Sequence, residues 1–143
     1  RRTLTFGLSE GCDIIVQACG ASGNGVLTAC KEAEGVYSMG SDVDQFDDGV
    51  VGDRNIILTS ALKVMDKNVT EQLNKIKDGT FTGGNYLLGA DTDSTGYVSA
   101  EGRHQLTEET IANLDAAFAK IKSGEIVPAA NFNGYTPEEF PGL

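Results

Sequence analysis

The sequence predicts an α/β domain built on a parallel sheet, and three observations carry that prediction. Three short β-like apolar runs, 13–18, 36–40 and 55–60, are each followed by a polar or glycine-rich loop. Segments of helical periodicity alternate with them, which is the signature of βαβ units. Gly20, Asp42 and Lys63 fall at or near the carboxyl ends of the three runs. Ligands of open parallel sheets sit outside those ends, so the pattern points to a small-molecule site.

Taken in order, Arg1 to Glu10 reads as the tail of a helix stopped by Gly11, with Leu4, Phe6 and Leu8 as its apolar residues. A domain rarely opens in this way, so the chain is expected to begin inside a larger fold. The run Asp13-Ile14-Ile15-Val16-Gln17-Ala18 is the first strand. A helix follows over 23–33, with Ser22 as its N-cap and Val26, Ala29, Cys30 and Ala33 on one face. The second strand covers 36–40, and 41–53 is expected as an acidic loop carrying Asp42, Asp44, Asp47, Asp48 and Asp53. After the third strand, Leu62, Met65, Val69, Leu73 and Ile76 recur at steps of three and four and predict a helix over 62–77, ended by Gly79. Gly83-Gly84 breaks the chain before a short strand at 85–89. A last helix is predicted over 108–122, capped by Thr107 and closed by Gly124, and the proline-containing stretch 125–143 reads as extended.

With 143 residues and 40% hydrophobic content, the chain has the size and composition of one folded domain. Its formal charge of −10 lacks the basic footprint that nucleic-acid binding requires. No run of about 18 apolar residues is present to cross a membrane. The cysteines at 12, 19 and 30 form no CxxC pair, so neither a disulfide framework nor a zinc site is suggested. Cys12 and Cys30 are expected as buried thiols, while Cys19 closes the first strand and borders the candidate site.

Several constellations compete for the chemistry. Gly20-Ala21-Ser22-Gly23-Asn24 falls short of a G-x-S-x-G nucleophile elbow, and the only histidine, His104, sits in a polar stretch. The same segment fails G-x-G-x-x-G, yet it puts backbone N–H groups at a helix start, where they can meet a ligand oxygen. A tight turn needing glycine explains it equally well. Asp91-Thr92-Asp93-Ser94-Thr95-Gly96 opens like a calcium loop, but Gly102 stands where the bidentate glutamate belongs, so a polar turn without metal is expected. Asp42, directly after a strand, can accept two hydrogen bonds from a vicinal diol or can serve a turn. Lys63 opens the 62–77 helix off its apolar face, where it is either a ligand donor or a solvated lysine.

At these residues the chain resembles a known family. Gly11-Cys12-Asp13-Ile14-Ile15-Val16-Gln17-Ala18-Cys19-Gly20 is similar to the "GADVIFQAAGG" segment of the basic membrane protein family, the substrate-binding lipoproteins of ABC transporters that include the purine nucleoside receptor type. Gly40-Ser41-Asp42-Val43-Asp44-Gln45 resembles its "GVDSDQ", and Leu58-Thr59-Ser60-Ala61-Leu62-Lys63 resembles its "VLTSxxK". Asp78-Gly79, Gly83-Gly84, Leu87-Leu88-Gly89, Gly96-Tyr97-Val98 and Ile121-Lys122-Ser123-Gly124-Glu125-Ile126-Val127-Pro128 continue the likeness in order.

The resemblance implies a type I periplasmic-binding-protein fold, of which this chain matches the C-terminal lobe, a parallel sheet flanked by helices. It implies residues 1–61 as βαβ units of that lobe, 62–83 as hinge and helix packing toward an N-terminal lobe without counterpart here, and 84–143 as the return, last helix and tail. It also implies a non-enzymatic receptor for a nucleoside of purine type, working with an ABC permease outside the cytoplasm. Contact with the membrane would be only through a lipid anchor absent from this chain, and no cofactor, metal or nucleic acid is implied. Asp42 would bind ribose hydroxyls, Lys63 would also reach the sugar, and Gly20 or Ala21 would touch ligand through the backbone. A sugar or signalling-molecule receptor of the same fold is the alternative. From another class, an α/β hydrolase-like enzyme using Ser22 or Asp42 is the third reading.

Overall fold

A computed structural model of the chain describes residues 7 and 9–128. Most of the expected opening helix and extended tail therefore lies outside the described residues. The main sheet has four strands in the order β1 (Ile14–Val16), β2 (Tyr37–Asp42), β5 (Ile57–Lys63) and β6 (Thr95–Tyr97). β1 pairs parallel with β2, with Ile14 opposite Tyr37, and β2 pairs parallel with β5, with Asp42 opposite Leu62. The βαβ reading holds here: helix α1 (Gly23–Glu32) connects β1 to β2.

The sheet is mixed, not purely parallel. β6 runs antiparallel to β5, with Ala61 opposite Tyr97 and Lys63 opposite Thr95. This strand arises within the segment read as a polar turn, because Thr95-Gly96-Tyr97 is too short and too polar to show a period of its own. The strand expected at 85–89 does not form. Those residues find no ladder, Tyr86 and Leu87 are exposed, and the Tyr86 hydroxyl instead donates to the Thr82 carbonyl at 2.9 Å. The acidic loop after β2 contains a small antiparallel ribbon, β3 (Val50–Val51) with β4 (Arg54–Asn55), preceded by one 3-10 turn over Asp47–Gly49.

The core lies between α1 and the sheet. Leu27, Cys30, Val36, Ile56 and Ile57 are buried together, with Ile15, Val26, Ala33, Phe46 and Val51 packed around them. Cys30 is the buried thiol expected, and burial raises its pKa. Cys12 is exposed instead, because it precedes β1 and does not join its ladder. Ser22 belongs to a 3-10 turn and makes no side-chain cap bond to α1.

Two features of β2 and β5 shape the strand ends. Their register shifts between Ser38 and Gly40, so that the step from Ser38 to Gly40 spans Ile57 to Ser60 on the partner; the extra residue is a bulge in β5. At the shifted pair a Cβ on Gly40 would collide with Ser60 Oγ and lie 2.8 Å from Ser60 Cβ, so only glycine permits this approach.

Helix α2 (Met65–Lys77) begins three residues later than expected, because Leu62 and Lys63 are spent on β5. No residue of α2 is buried. Helix α3 (Glu108–Ser123) matches its expected limits closely. The Thr107 side chain accepts from the Thr110 N–H at 3.1 Å, and Gly124 closes the helix in the left-handed region at φ 78°. Loss of such a cap costs about 1 kcal/mol. Thr107→Ala is therefore expected to lower the unfolding free energy by about that amount in urea titration, and an unshifted midpoint would show that the cap contributes nothing.

Candidate functional site

β2 and β5 end side by side, with Asp42 opposite Leu62, while β1 stops earlier, with Val16 opposite Met39; each strand leads toward one candidate group. β1 runs into a single 3-10 turn, Gly20–Ser22, which leads directly into α1. Gly20 adopts φ 54°, a conformation that favours glycine. The first turn bond is from the Ser22 N–H to the Cys19 carbonyl at 3.2 Å, so the Gly20 and Ala21 N–H groups precede the first donor of the turn. Asp42 does not follow β2 but is its last residue, and its φ of 70° turns the chain away at that point. Lys63 likewise ends β5 and does not open a helix.

Because both residues are strand residues on neighbouring strands, they meet. Lys63 Nζ lies 3.5 Å from Asp42 Oδ1, an ion pair longer than a good hydrogen bond. The two side chains remain 63% and 48% exposed. An exposed pair of this kind adds little stability, about 0–1 kcal/mol. Each group keeps most of its hydrogen-bonding capacity for another partner.

Beneath these groups lies a polar frame that the sequence reading did not assign. Gln17, buried just after β1, accepts from the Cys19 N–H at 3.2 Å and donates through Nε2 to Gln45 Oε1 at 3.3 Å. Gln45 Oε1 also accepts from the Ser41 N–H at 2.9 Å, its Nε2 donates to Asp48 Oδ2 at 3.2 Å, and its backbone N–H donates to the buried Ser60 hydroxyl at 3.1 Å. Alongside it, Arg103 clamps the same loop from outside, with Nε 2.8 Å from Asp44 Oδ2, Nη1 2.7 Å from Asp47 Oδ1, and the guanidinium 5.4 Å from the centre of the Phe46 ring. The hydrogen bond from Arg103 holds the Asp44 carboxyl below its ordinary range, helped by the Phe46 N–H and opposed by desolvation. The clamp thus contributes above the ordinary aspartate pKa and is lost as pH falls through the lowered one.

The remaining candidates do other work. The turn that opens like a calcium loop is held by lysines: Lys122 pairs with Asp93, lowering its pKa chiefly through that hydrogen bond, and Lys67 Nζ donates to the Thr92 carbonyl at 2.8 Å. Among the described residues no group of three or more His, Cys, Asp or Glu side chains gathers to hold a metal. His104 Nδ1 accepts from the Leu106 N–H at 3.1 Å, bracing a turn. An open apolar cavity of about 790 Å³ lies between the 87–91 segment, β6 and α3, lined by Leu87, Tyr97, Leu114, Phe118 and Ile121 among others. At its wall the Tyr97 hydroxyl donates to Asp115 Oδ1 at 2.6 Å, and its pKa is pushed up to about 12 by burial and then by that carboxylate. None of Gly20, Ala21, Asp42 or Lys63 lines this cavity.

Comparison with known proteins agrees with this architecture. The family model Bmp, described as ABC transporter substrate-binding protein PnrA-like, matches residues 3–131. The CD4+ T-cell-stimulating antigens of Listeria monocytogenes and Listeria innocua are each 32% identical over 130 residues, an alignment that takes in 82% of this chain and 36% of theirs. The chain thus spans little more than a third of the length of the curated relatives it matches. Among solved structures, a transcriptional activator of the comK gene from Bacillus halodurans superposes with a TM-score of 0.75 at 18% identity, covering 90% of this chain and 43% of that one. An ABC transporter solute-binding protein from Aeropyrum pernix superposes at 0.69 with 21% identity, over 90% of this chain and 43% of its own. These structures share the α/β type I periplasmic-binding fold, and the family match extends over most of the sequence. The chain belongs to the Bmp family of PnrA-like ABC transporter substrate-binding proteins.

Proposed function

We propose that this chain forms one lobe of an extracytoplasmic receptor that delivers a nucleoside to an ABC importer, and that it holds the ribose. The observation that supports this reading is the exposed Asp42–Lys63 pair at adjacent strand ends, facing the same end of the sheet as the Gly20–Ser22 turn. A carboxylate beside an ammonium suits a vicinal diol: Asp42 accepts from two hydroxyls while Lys63 donates to one of their oxygens. The N–H groups of Gly20 and Ala21 offer a further pair of donors. No nucleophile and base are needed for this task, and the protein acts by binding alone. A lipid anchor and a permease partner complete the reading.

In the same proposal, 1–61 and 84–143 build this lobe, while 62–83 carries the hinge and a helix that packs on a second lobe. The relatives' greater length leaves room for that lobe. The ligand then lies between the two, with the base held mainly by the other side.

Lys63→Met tests the sugar contact, because it keeps the stem volume and removes the donor. In the full-length protein, calorimetry with guanosine is expected to show a loss of about tenfold, the scale of one charged hydrogen bond. Binding of 2′,3′-dideoxyguanosine should change little. Equal losses for both would remove Lys63 from the sugar site. Competition by free ribose would favour a sugar receptor, and release of free base would favour an enzyme.

A further inference from the structure

The candidate ligand groups sit on segments far apart in sequence, yet a binding site needs them at one fixed separation. The glycine turn follows β1 and Asp42 ends β2; the side chains of Gln17, after β1, and Gln45, after β2, are hydrogen-bonded to each other. The direction of that pair is set by its neighbours. Gln17 must present its oxygen to the Cys19 N–H, at 3.2 Å, which leaves its NH2 for Gln45. Gln45 must present its oxygen to the Ser41 N–H, at 2.9 Å, and its NH2 to the Asp48 carboxylate, at 3.2 Å. The result is a one-way chain from Gln17 Nε2 to Gln45 Oε1, in which neither amide can flip without facing like against like.

The packing confirms that the position is built and not incidental. Gln17 is 6% exposed, and its carboxamide lies close against Gly23, the first residue of α1. A Cβ there would collide with Gln17 Oε1 and stand 2.6 Å from Cδ. Gln45 is fastened at its own backbone to Ser60 of β5. The two glutamines therefore tie the three parallel strands together: Gln17 follows β1, and Gln45 holds Ser41 of β2 through its side chain and Ser60 of β5 through its backbone.

We propose that the Gln17–Gln45 amide bridge sets the distance between the Gly20–Ala21 turn and Asp42, making both glutamines positioning residues for the ligand site. The proposal rests on the nucleoside-receptor reading for its effect on binding, but not for the bridge itself. Gln17→Glu tests it. At pH 7.5 a carboxylate at 17 has no proton to give and opposes Gln45 Oε1; the carboxylate of Asp48 prevents Gln45 from turning over. At pH 5 burial and the facing Gln45 Oε1 favour the protonated acid, against the Cys19 N–H that favours the carboxylate, and the acid restores the donor. Asp48 is the charged group bonded to the bridge, through Gln45 Nε2, and the pairs of Arg103 with Asp44 and Asp47 lie at the same loop.

In the full-length protein, guanosine affinity of Gln17→Glu, relative to the unaltered protein at the same pH, is expected to fall about tenfold at pH 7.5 and to recover at pH 5. Hydrogen-exchange protection at the Ser41 amide should follow the same course. Gln17→Met, without donor or charge, should lose affinity at both pH values, and it also serves if the glutamate variant does not fold at neutral pH. Unchanged affinity in Gln17→Met, or a glutamate loss that ignores pH, overturns the proposal. If the unaltered protein binds no nucleoside, the receptor reading fails by itself. The bridge is then judged on Ser41 protection alone: a loss at pH 7.5 that recovers at pH 5 supports it, and no change overturns it.

Discussion

Asp42→Asn is expected to weaken guanosine binding about 10- to 100-fold in the full-length protein while its melting temperature stays within a few degrees. The affinity loss follows from the chemistry of the diol contact. A hydrogen bond to a charged group is worth about 1.5–3 kcal/mol, and about 1.4 kcal/mol is one factor of ten. Asparagine keeps the size of the side chain but accepts at only one atom and carries no charge. The choice of asparagine over alanine matters because Asp42 stands at φ 70°. Asparagine and aspartate tolerate that region better than other L-residues, so Asn isolates the carboxylate whereas Ala adds backbone strain. The stability side follows from exposure. Lys63 is left without its partner but is already 63% exposed, so water replaces the lost carboxylate. Unchanged affinity in Asp42→Asn would remove the carboxylate from the binding site. A large fall in melting temperature would mean that Asp42 serves the turn and not a ligand.

What the sequence disclosed about this site, and what it hid, divides along a physical line. The parallel order of β1, β2 and β5 and the ends of α3 were legible because they depend on local signals: apolar runs, Thr107 as a cap, Gly124 as a stop. The strand ends were only partly legible: β1 stops at Val16, two residues short of the expected 18, while β2 and β5 run two and three residues further than their apolar runs suggest. Ladder hydrogen bonds, not hydrophobicity, carry β2 to Asp42 and β5 to Lys63, and this is what brings the two charges into one pair. The interactions between elements that were invisible are long-range. Gln17 meets Gln45 across 28 positions, and Arg103 meets Asp47 and Asp44 across 56 and 59. A polar residue in a loop carries no periodicity that names its partner. The same applies to β6, whose three residues are strand only because β5 presents an edge for them, and to 85–89, whose apolar run found no edge at all.

The 143-residue chain expressed by itself is expected to associate through helix α2. The helix keeps a regular apolar stripe, Met65, Val69, Leu73 and Ile76, and these side chains are 47%, 59%, 60% and 57% exposed. Phe81, Tyr86 and Leu87, later in the chain, are exposed as well. A helix that only faced water would not need such a stripe, since periodic burial is what selects it. Burying one such side chain is worth about 1.5–3 kcal/mol, and a contiguous uncovered patch drives association. In the two-lobe receptor proposed above, the second lobe supplies the bed, so the same residues have opposite consequences in the two settings. Val69→Lys with Leu73→Glu should return the short chain to a monomer in light scattering, because it breaks the stripe at its centre while leaving the core around Leu27 and Ile57 untouched. The same double substitution in the full-length protein should lower stability by several kcal/mol, as charges are forced against the other lobe. A short chain that is monomeric without substitution, or a full-length protein indifferent to both charges, would mean that α2 packs on nothing and that the stripe has another purpose.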